Sequence, residues 1–281
     1  MRNKVRSLSG DALVQGLWIG DSLSKVECAC MRSYLSFGHE FHLYAYKQYE
    51  NLPTGVKWMD ANSIISESEI FTYQKGPGKG SYGAFANLFR YKLLSERGGW
   101  WTDMDFICLA PLPVVEGLFV AAEWKVTPSL LMGALRTRLT WLESKGWNLN
   151  GVKWWLYDEV PTNSLIFSTQ GFPLMQAALK IASEAVTENL NWGETGPLLI
   201  ARLIAEYQHP EDIVIGRPSE FLPMAGRQIP CLFESGGRFN LRGAKTIHLY
   251  NELWRRSGYD KDADFRNDTL ISRLLSNHSV Q

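Results

Sequence analysis

Between Leu13 and Tyr46 the hydrophobic period changes twice, and these changes constrain the architecture more than any other part of the chain. Leu13–Ile19 (LVQGLWI) is a short apolar run ending at Gly20, which reads as a buried strand. From Ser22 to Phe37, the residues Leu23, Val26, Cys30, Tyr34 and Phe37 recur at threes and fours, the period of an amphipathic helix, and Gly38 supplies its stop. Phe41, Leu43 and Ala45 then alternate with His42, Tyr44 and Tyr46, the period of a second strand, and Val56–Met59 reads as a third. A strand, helix, strand opening predicts an α/β chain wound around a mostly parallel, Rossmann-like central sheet flanked by helices.

The alternation continues. Lys75–Ser81 (KGPGKGS) is Gly-rich but lacks the closing Lys-Ser/Thr of a phosphate loop, so it reads as a turn. Ser81 is placed to cap the next helix, which carries Phe85, Leu88, Phe89, Leu93 and Leu94 and ends at Gly98-Gly99. Strands are expected in WWTDMDFICL, LFVAAEW, SLIFST, IVIG and TIHLY, with helices from Pro173 to about Val186 and from Pro197 to Tyr207. The Trp-rich stretch at about 125–160 is expected to be an insertion or lid, and the charged tail beyond Gly258 to dock loosely or fray. With 281 residues, 45% of them hydrophobic, one domain over 1–281 is predicted.

Twenty-nine basic and 29 acidic residues cancel, which argues against a general electrostatic grip on nucleic acid. Cys28, Cys30, Cys108 and Cys231 lack the paired spacing of a zinc site and read as free thiols of a reducing compartment. The polar start MRNKVRSLSGDALVQ has no apolar core of a signal peptide, and no run approaches the ~20 apolar residues that span a bilayer. A cytoplasmic location follows as the expectation, with peripheral membrane contact left open.

The stretch Asn87–Phe106 (NLFRYKLLSERGGWWTDMDF) carries the chemistry. Asp103 and Asp105 are one residue apart at the expected end of a strand, where two carboxylates can approach one cation from one side. Their neighbours Trp100, Trp101, Met104, Phe106 and Ile107 are apolar, a setting in which two uncompensated carboxylates repel and lose hydration. A hard divalent ion removes that penalty, taking one or two carboxylates and completing its shell with phosphate and water. The Gly-Gly stop also puts the pair near the carboxyl ends of strands, where open α/β sheets bind ligands.

The pattern A-x-x-x-x-R-Y-x-x-L-x-x-x-G-G-W-x-x-D-x-D, from Ala86 through Arg90 and Tyr91 to Asp105, resembles the sugar-binding region of DXD-type retaining glycosyltransferases. These include capsule and lipopolysaccharide sugar transferases, outer-chain mannosyltransferases, lactosylceramide galactosyltransferases and, more distantly, clostridial glucosylating toxins. The resemblance implies a GT-A fold, an Mn²⁺ or Mg²⁺ cofactor, a nucleotide-sugar donor, a carbohydrate or glycolipid acceptor, and a place in polysaccharide biosynthesis. It implies that Asp103 contacts metal and donor, that Asp105 is a direct metal ligand, and that Arg90 and Asn87 hold the donor sugar. The position of Asn87 is usually Asp in these relatives; Asn keeps the hydrogen bonds and loses the charge.

The resemblance extends to Leu17-Trp18-Ile19-Gly20, where Trp18 would stack on the nucleotide base, and to Glu194-Thr195-Gly196-Pro197, where Thr195 and Gly196 would lie near the donor. Thr195 also suits a helix cap. His248, in Thr246–Trp254, would return to the metal or diphosphate, and Trp254 would cover the nucleotide. Arg255 and Arg256 face either phosphates or solvent. For the acceptor, Asn163 in Pro161–Ser164 and the aromatic pair Trp154 and Trp155 are expected to contribute. Two other readings stand beside the transferase: a non-catalytic nucleotide-sugar or carbohydrate-binding relative, and a metal-dependent phosphohydrolase.

Overall fold

The early period changes are realised as β1 (Leu13–Trp18), α1 (Lys25–Ser36), β2 (Glu40–Ala45) and β3 (Val56–Asp60), in a computed structural model that describes residues 12–126, 157–236 and 239–278. Helix α1 begins with a reciprocal cap: the Ser24 side chain accepts from the Val26 N–H, and Glu27 reaches back to the Ser24 N–H. The chain then runs through α2 (Gly83–Arg97), β4 (Gly99–Thr102), β5 (Phe106–Cys108), β6 (Leu118–Val126) and β7 (Tyr157–Ser168). Helices α3 (Pro173–Glu184) and α4 (Pro197–Glu206), strands β8 (Ile213–Gly216) and β9 (Thr246–His248), and helices α5 (Asn251–Ser257) and α6 (Leu270–Ser276) complete it.

Seven strands form one sheet in the order β3-β2-β1-β4-β7-β6-β8. β1 pairs in parallel with β2 and β4, and β6 with β8, while β7 is antiparallel to both of its neighbours. The mostly parallel sheet is thus as the sequence led us to expect. Adjacent Trp100 and Trp101 in β4 show how it is buried on both faces. Trp100 packs with Met31, Tyr34 and Phe41 on the α1 side, and Trp101 with Phe85, Phe89 and Met175 on the side of α2 and α3.

The connection from α2 to β4 requires its two glycines. Gly98 (φ 67°) closes the helix through its N–H to the Leu94 carbonyl, and Gly99 (φ 92°) turns the chain into the sheet. A Cβ on Gly98 would stand 2.7 Å from the Gln170 nitrogen, and one on Gly99 2.8 Å from the Gln15 side-chain nitrogen, which itself bonds the Gly98 carbonyl.

Several expectations change. The segment TIHLY does not join the main sheet; β9 pairs antiparallel with β5 in a separate two-stranded ribbon. Ser81 accepts from the Gly83 N–H, but the residue at the helix cap is Tyr82. Gly78 in the Gly-rich turn is covered by Trp192, whose ring leaves no room for a Cβ. The tail beyond Gly258 does not fray over its described residues. Leu270, Ile271, Leu274 and Leu275 are buried in a third cluster with Val26, Ile107 and Trp254, because α6 presents its apolar stripe to α1. The Trp-rich stretch lies almost wholly outside the described residues, as do the start of the chain and Trp154 and Trp155.

Trp100→Ala is expected to lower the unfolding free energy by about 3–5 kcal/mol, since the indole is 1% exposed and packs against Phe119 and Phe167 at ring centroid distances of 5.0 and 5.5 Å. Urea unfolding of the two proteins followed by circular dichroism checks it.

Candidate active site

Asp103, Met104 and Asp105 form the turn between β4 and β5, at the carboxyl edge of the parallel strands. The turn is fastened by the Asp103 N–H donating to the Ser164 carbonyl at 2.9 Å. Because the two carboxylates sit in a turn rather than along a strand, they acquire different surroundings.

Asp103 faces α2. Its Oδ1 accepts from Arg90 Nη2 at 2.6 Å and from the Trp101 indole at 2.9 Å, and about a third of its side chain (32%) stays open. Arg90 is buried, with its guanidinium 4.8 Å above the Trp101 ring, and also donates to the Asn163 carbonyl. Desolvation raises the Asp103 carboxyl above its ordinary range against the pull of Arg90, and the Asp105 charge adds to the rise.

Asp105 is buried and faces the ribbon. Its Oδ2 accepts from the Asn251 N–H at 2.7 Å and lies 3.1 Å from His248 Nε2. Burial alone would raise this carboxyl, but the His248 charge and hydrogen bond, helped by the Asn251 N–H, bring it below its usual value. Burial likewise lowers His248, and the Asp105 charge and hydrogen bond outweigh it, so the imidazole rises. The register of the ribbon sets Phe106 opposite His248, and their rings stack at 4.4 Å; Tyr250 covers His248 at 3.9 Å. Tyr250 has φ 57°, a left-handed conformation uncommon for a bulky residue, and this bend aims the Asn251 N–H at Asp105.

Behind Arg90 lies a buried polar network. Asn87 and Tyr91 are one helical turn apart on α2 and share a face. The Asn163 amide donates to Asn87 Oδ1 at 2.7 Å and to the Tyr91 hydroxyl at 3.2 Å. Asn87 Nδ2 reaches Thr195 Oγ1 at 3.4 Å, and the Tyr91 hydroxyl donates to the Thr195 carbonyl at 2.8 Å. A Cβ on Gly196 would meet Asn87 Nδ2 at 3.0 Å, so glycine there lets the loop approach. Asn163 reaches inward because the β6–β7 register slips between Val120 and Ala122, the bulge geometry that re-aims side chains beside active sites.

Asn87, Arg90, Asp103, Asn163, Thr195 and Gly196 are therefore brought together, and Asp105 and His248 pair beside them. Asn163, expected at the acceptor, lies beside Asn87 and bonds it. Thr195 does not cap α4; Gly196 occupies that position, and the Thr195 hydroxyl turns to Asn87. Trp254 offers no face to a nucleotide, since it is fully buried among Phe233, Tyr259 and Phe265. Arg255 is paired with Glu252 at the surface. Trp18 is half-buried and, with Ile19, Tyr46, Tyr49 and Tyr82, lines a cleft of about 220 Å³. Its indole donates to the Ser22 carbonyl, and the Lys261 ammonium lies 4.7 Å from the ring centroid.

The sequence assigns no polar contact in the site to Trp101, Tyr91 or the Asn251 amide. The spacing of Tyr91 from Asn87 was a usable signal, whereas a backbone N–H delivered by a bend has none.

The residues suit a divalent cation in part. Among the described residues, no three His, Cys, Asp or Glu side chains gather closely enough to hold an ion by themselves. Asp105 Oδ1, however, is buried without a hydrogen-bond partner, a cost that a cation removes. Divalent ions bound to nucleotides often take only one or two protein carboxylates and complete their shell with phosphate and water.

Residues 30–123 match the family model described as the glycosyltransferase sugar-binding region containing a DXD motif. No curated protein sequence matches the chain. Among solved structures, it is similar to the PaToxG glycosyltransferase (13% identity, 70% of this chain and 69% of that one, TM-score 0.46). It is also similar to the galactosyltransferase LgtC in complex with donor and acceptor sugar analogs (9% identity, 96% and 97%, TM-score 0.46). A transferase mutant is a third (10% identity, 70% and 85%, TM-score 0.39). The matched segment, about a third of the chain, holds α2, the two glycines and both aspartates of the turn, and it is the part that is similar to the DXD sugar-binding region of glycosyltransferases.

Proposed function

We propose that the chain transfers a sugar from a nucleotide diphosphate, a UDP-sugar first and a GDP-sugar second, to a hydroxyl of a glycan, lipid-linked or other acceptor, with retention at the anomeric carbon. The observation that carries this reading is the division of labour between the two aspartates. Asp103 is anchored to Arg90 and Trp101 beside a neutral polar network, while Asp105 presents a buried, unpartnered oxygen.

Asp105, with Asp103 and His248, would hold Mn²⁺ or Mg²⁺. When bound, the ion neutralises the diphosphate and stabilises it as a leaving group. Arg90 fixes the Asp103 carboxylate in one orientation, so that little reorganisation is needed as charge develops. Asn87, Asn163 and Thr195 offer amide and hydroxyl groups of the kind that meet sugar hydroxyls, without a net charge. The cleft beside Trp18 would take the nucleotide base against the indole. The reading needs no protein nucleophile; positioning and electrostatic stabilisation supply the rate.

Among the described residues no helix is long and apolar enough to cross a membrane. The four cysteines are free and buried, which supports placing this activity in the cytoplasm, in the assembly of polysaccharide.

Purified protein is expected to release UDP from at least one UDP-sugar in an Mn²⁺-dependent manner. Asp105→Asn should reduce turnover by roughly 10²–10³-fold, and chelation should abolish it. UDP release indifferent to EDTA would overturn the reading. Arg90→Lys keeps the charge but cannot span both Asp103 and the Asn163 carbonyl, so a loss of about 1–3 kcal/mol of stability is expected, measured by urea denaturation. Asn87→Asp can accept from both Asn163 and Thr195; a steady-state comparison over a donor panel should show a changed donor preference with little change in melting temperature.

A further inference from the structure

The Glu27 carboxylate has no exposed surface and accepts four hydrogen bonds. Its Oε2 serves the α1 cap, taking the Ser24 N–H at 2.9 Å and the Ser24 hydroxyl at 2.5 Å. The helix requires nothing more of it, and a glutamine would serve the same cap. Its Oε1 is instead committed to residues far along the chain: Asn251 Nδ2 at 3.0 Å and Lys261 Nζ at 2.5 Å.

Asn251 is also the residue whose backbone N–H donates to Asp105 Oδ2. It follows Tyr250, which holds a left-handed conformation that the local sequence does not favour, so the direction of this N–H needs an external hold. The Asn251 side chain supplies it by tying the bend to Glu27. One continuous path therefore runs from the cap of α1, through Glu27 and Asn251, to the carboxylate whose other oxygen is unpartnered. Lys261, on the same Glu27 oxygen, brings the 260s segment over the Trp18 ring, and the Lys25 N–H donating to Asp262 at 2.8 Å fastens that segment again.

We infer that Glu27 is a positioning residue for the metal-binding carboxylate: through Asn251 it orients Asp105 so that Oδ1 is presented to the cation. The inference rests on the metal-dependent reading above. Groups behind a metal ligand orient it, and losing one weakens metal affinity. Glu27 acts one residue further back, and the cap of α1 makes no use of its second oxygen, which Asn251 and Lys261 share.

Mn²⁺ binding to the purified full chain, followed by electron paramagnetic resonance of the free ion, tests this without any assay of turnover. Glu27→Gln preserves volume and the Ser24 cap but turns either an amide NH₂ or a neutral carbonyl toward Asn251 and Lys261. It is expected to raise the Mn²⁺ dissociation constant roughly 10-fold, with a cooperative thermal transition retained. Asn251→Ala keeps the backbone N–H and removes only the tie to Glu27. It should weaken Mn²⁺ similarly, and the double variant should be no weaker than the worse single one, because both changes cut one path. Unaltered affinity in folded Glu27→Gln or Asn251→Ala, or fully additive losses, would overturn the inference. If Glu27→Gln fails to fold, Asn251→Ala alone decides. Absence of Mn²⁺ binding by the wild-type protein would instead remove the metal reading itself, so the two failures are distinguishable.

Discussion

A buried carboxylate must be compensated, and much of this structure can be understood from how Asp105 is. Its Oδ2 is met by His248 and by the Asn251 amide, and neither group could be there without the small ribbon that brings the chain back beside the turn. That return needs the C-terminal segment packed on α1, where Trp254, Leu270 and Leu274 close a third apolar cluster. The core of that segment thus supports the electrostatics of the turn. Trp254 contributes to the site by burial rather than by contact.

Asp103 is compensated from the opposite direction, by a guanidinium that is itself enclosed between Trp101 and the Asn163 carbonyl. Two acids one residue apart are thereby separated in role. One is an anchored group that keeps part of its surface open; the other is enclosed with one oxygen free. Had the pair lain along a regular strand, both would have shared one face and one environment. The turn at Asp103–Asp105 makes the difference, and the glycines that end α2 deliver the chain to it.

The local periods made the first half of the fold legible. The apolar run at Leu13, the threes and fours after Ser22 and the alternation after Phe41 each gave an element within a few residues of its observed bounds. Asn87, Arg90 and the aspartates were legible because they fall within one compact pattern. Long-range events left weaker marks. That TIHLY pairs with β5 rather than entering the main sheet depends on a contact across more than a hundred residues. That Asn163 turns toward Asn87 depends on a register slip in β7. Glu27 had no assigned part in the sequence; its cap on α1 and the use of its second oxygen appear only once Ser24, Asn251 and Lys261 are folded against it.

The central claim is that Asp105 offers its free oxygen to a cation that also binds a nucleotide diphosphate. A crystal structure of the protein with Mn²⁺ and UDP tests this most directly. The account predicts an anomalous manganese peak within coordinating distance of Asp105 Oδ1 and of the diphosphate oxygens, with Asp103 still bonded to Arg90. Manganese and UDP bound elsewhere, with Asp105 Oδ1 still without a partner, would contradict it.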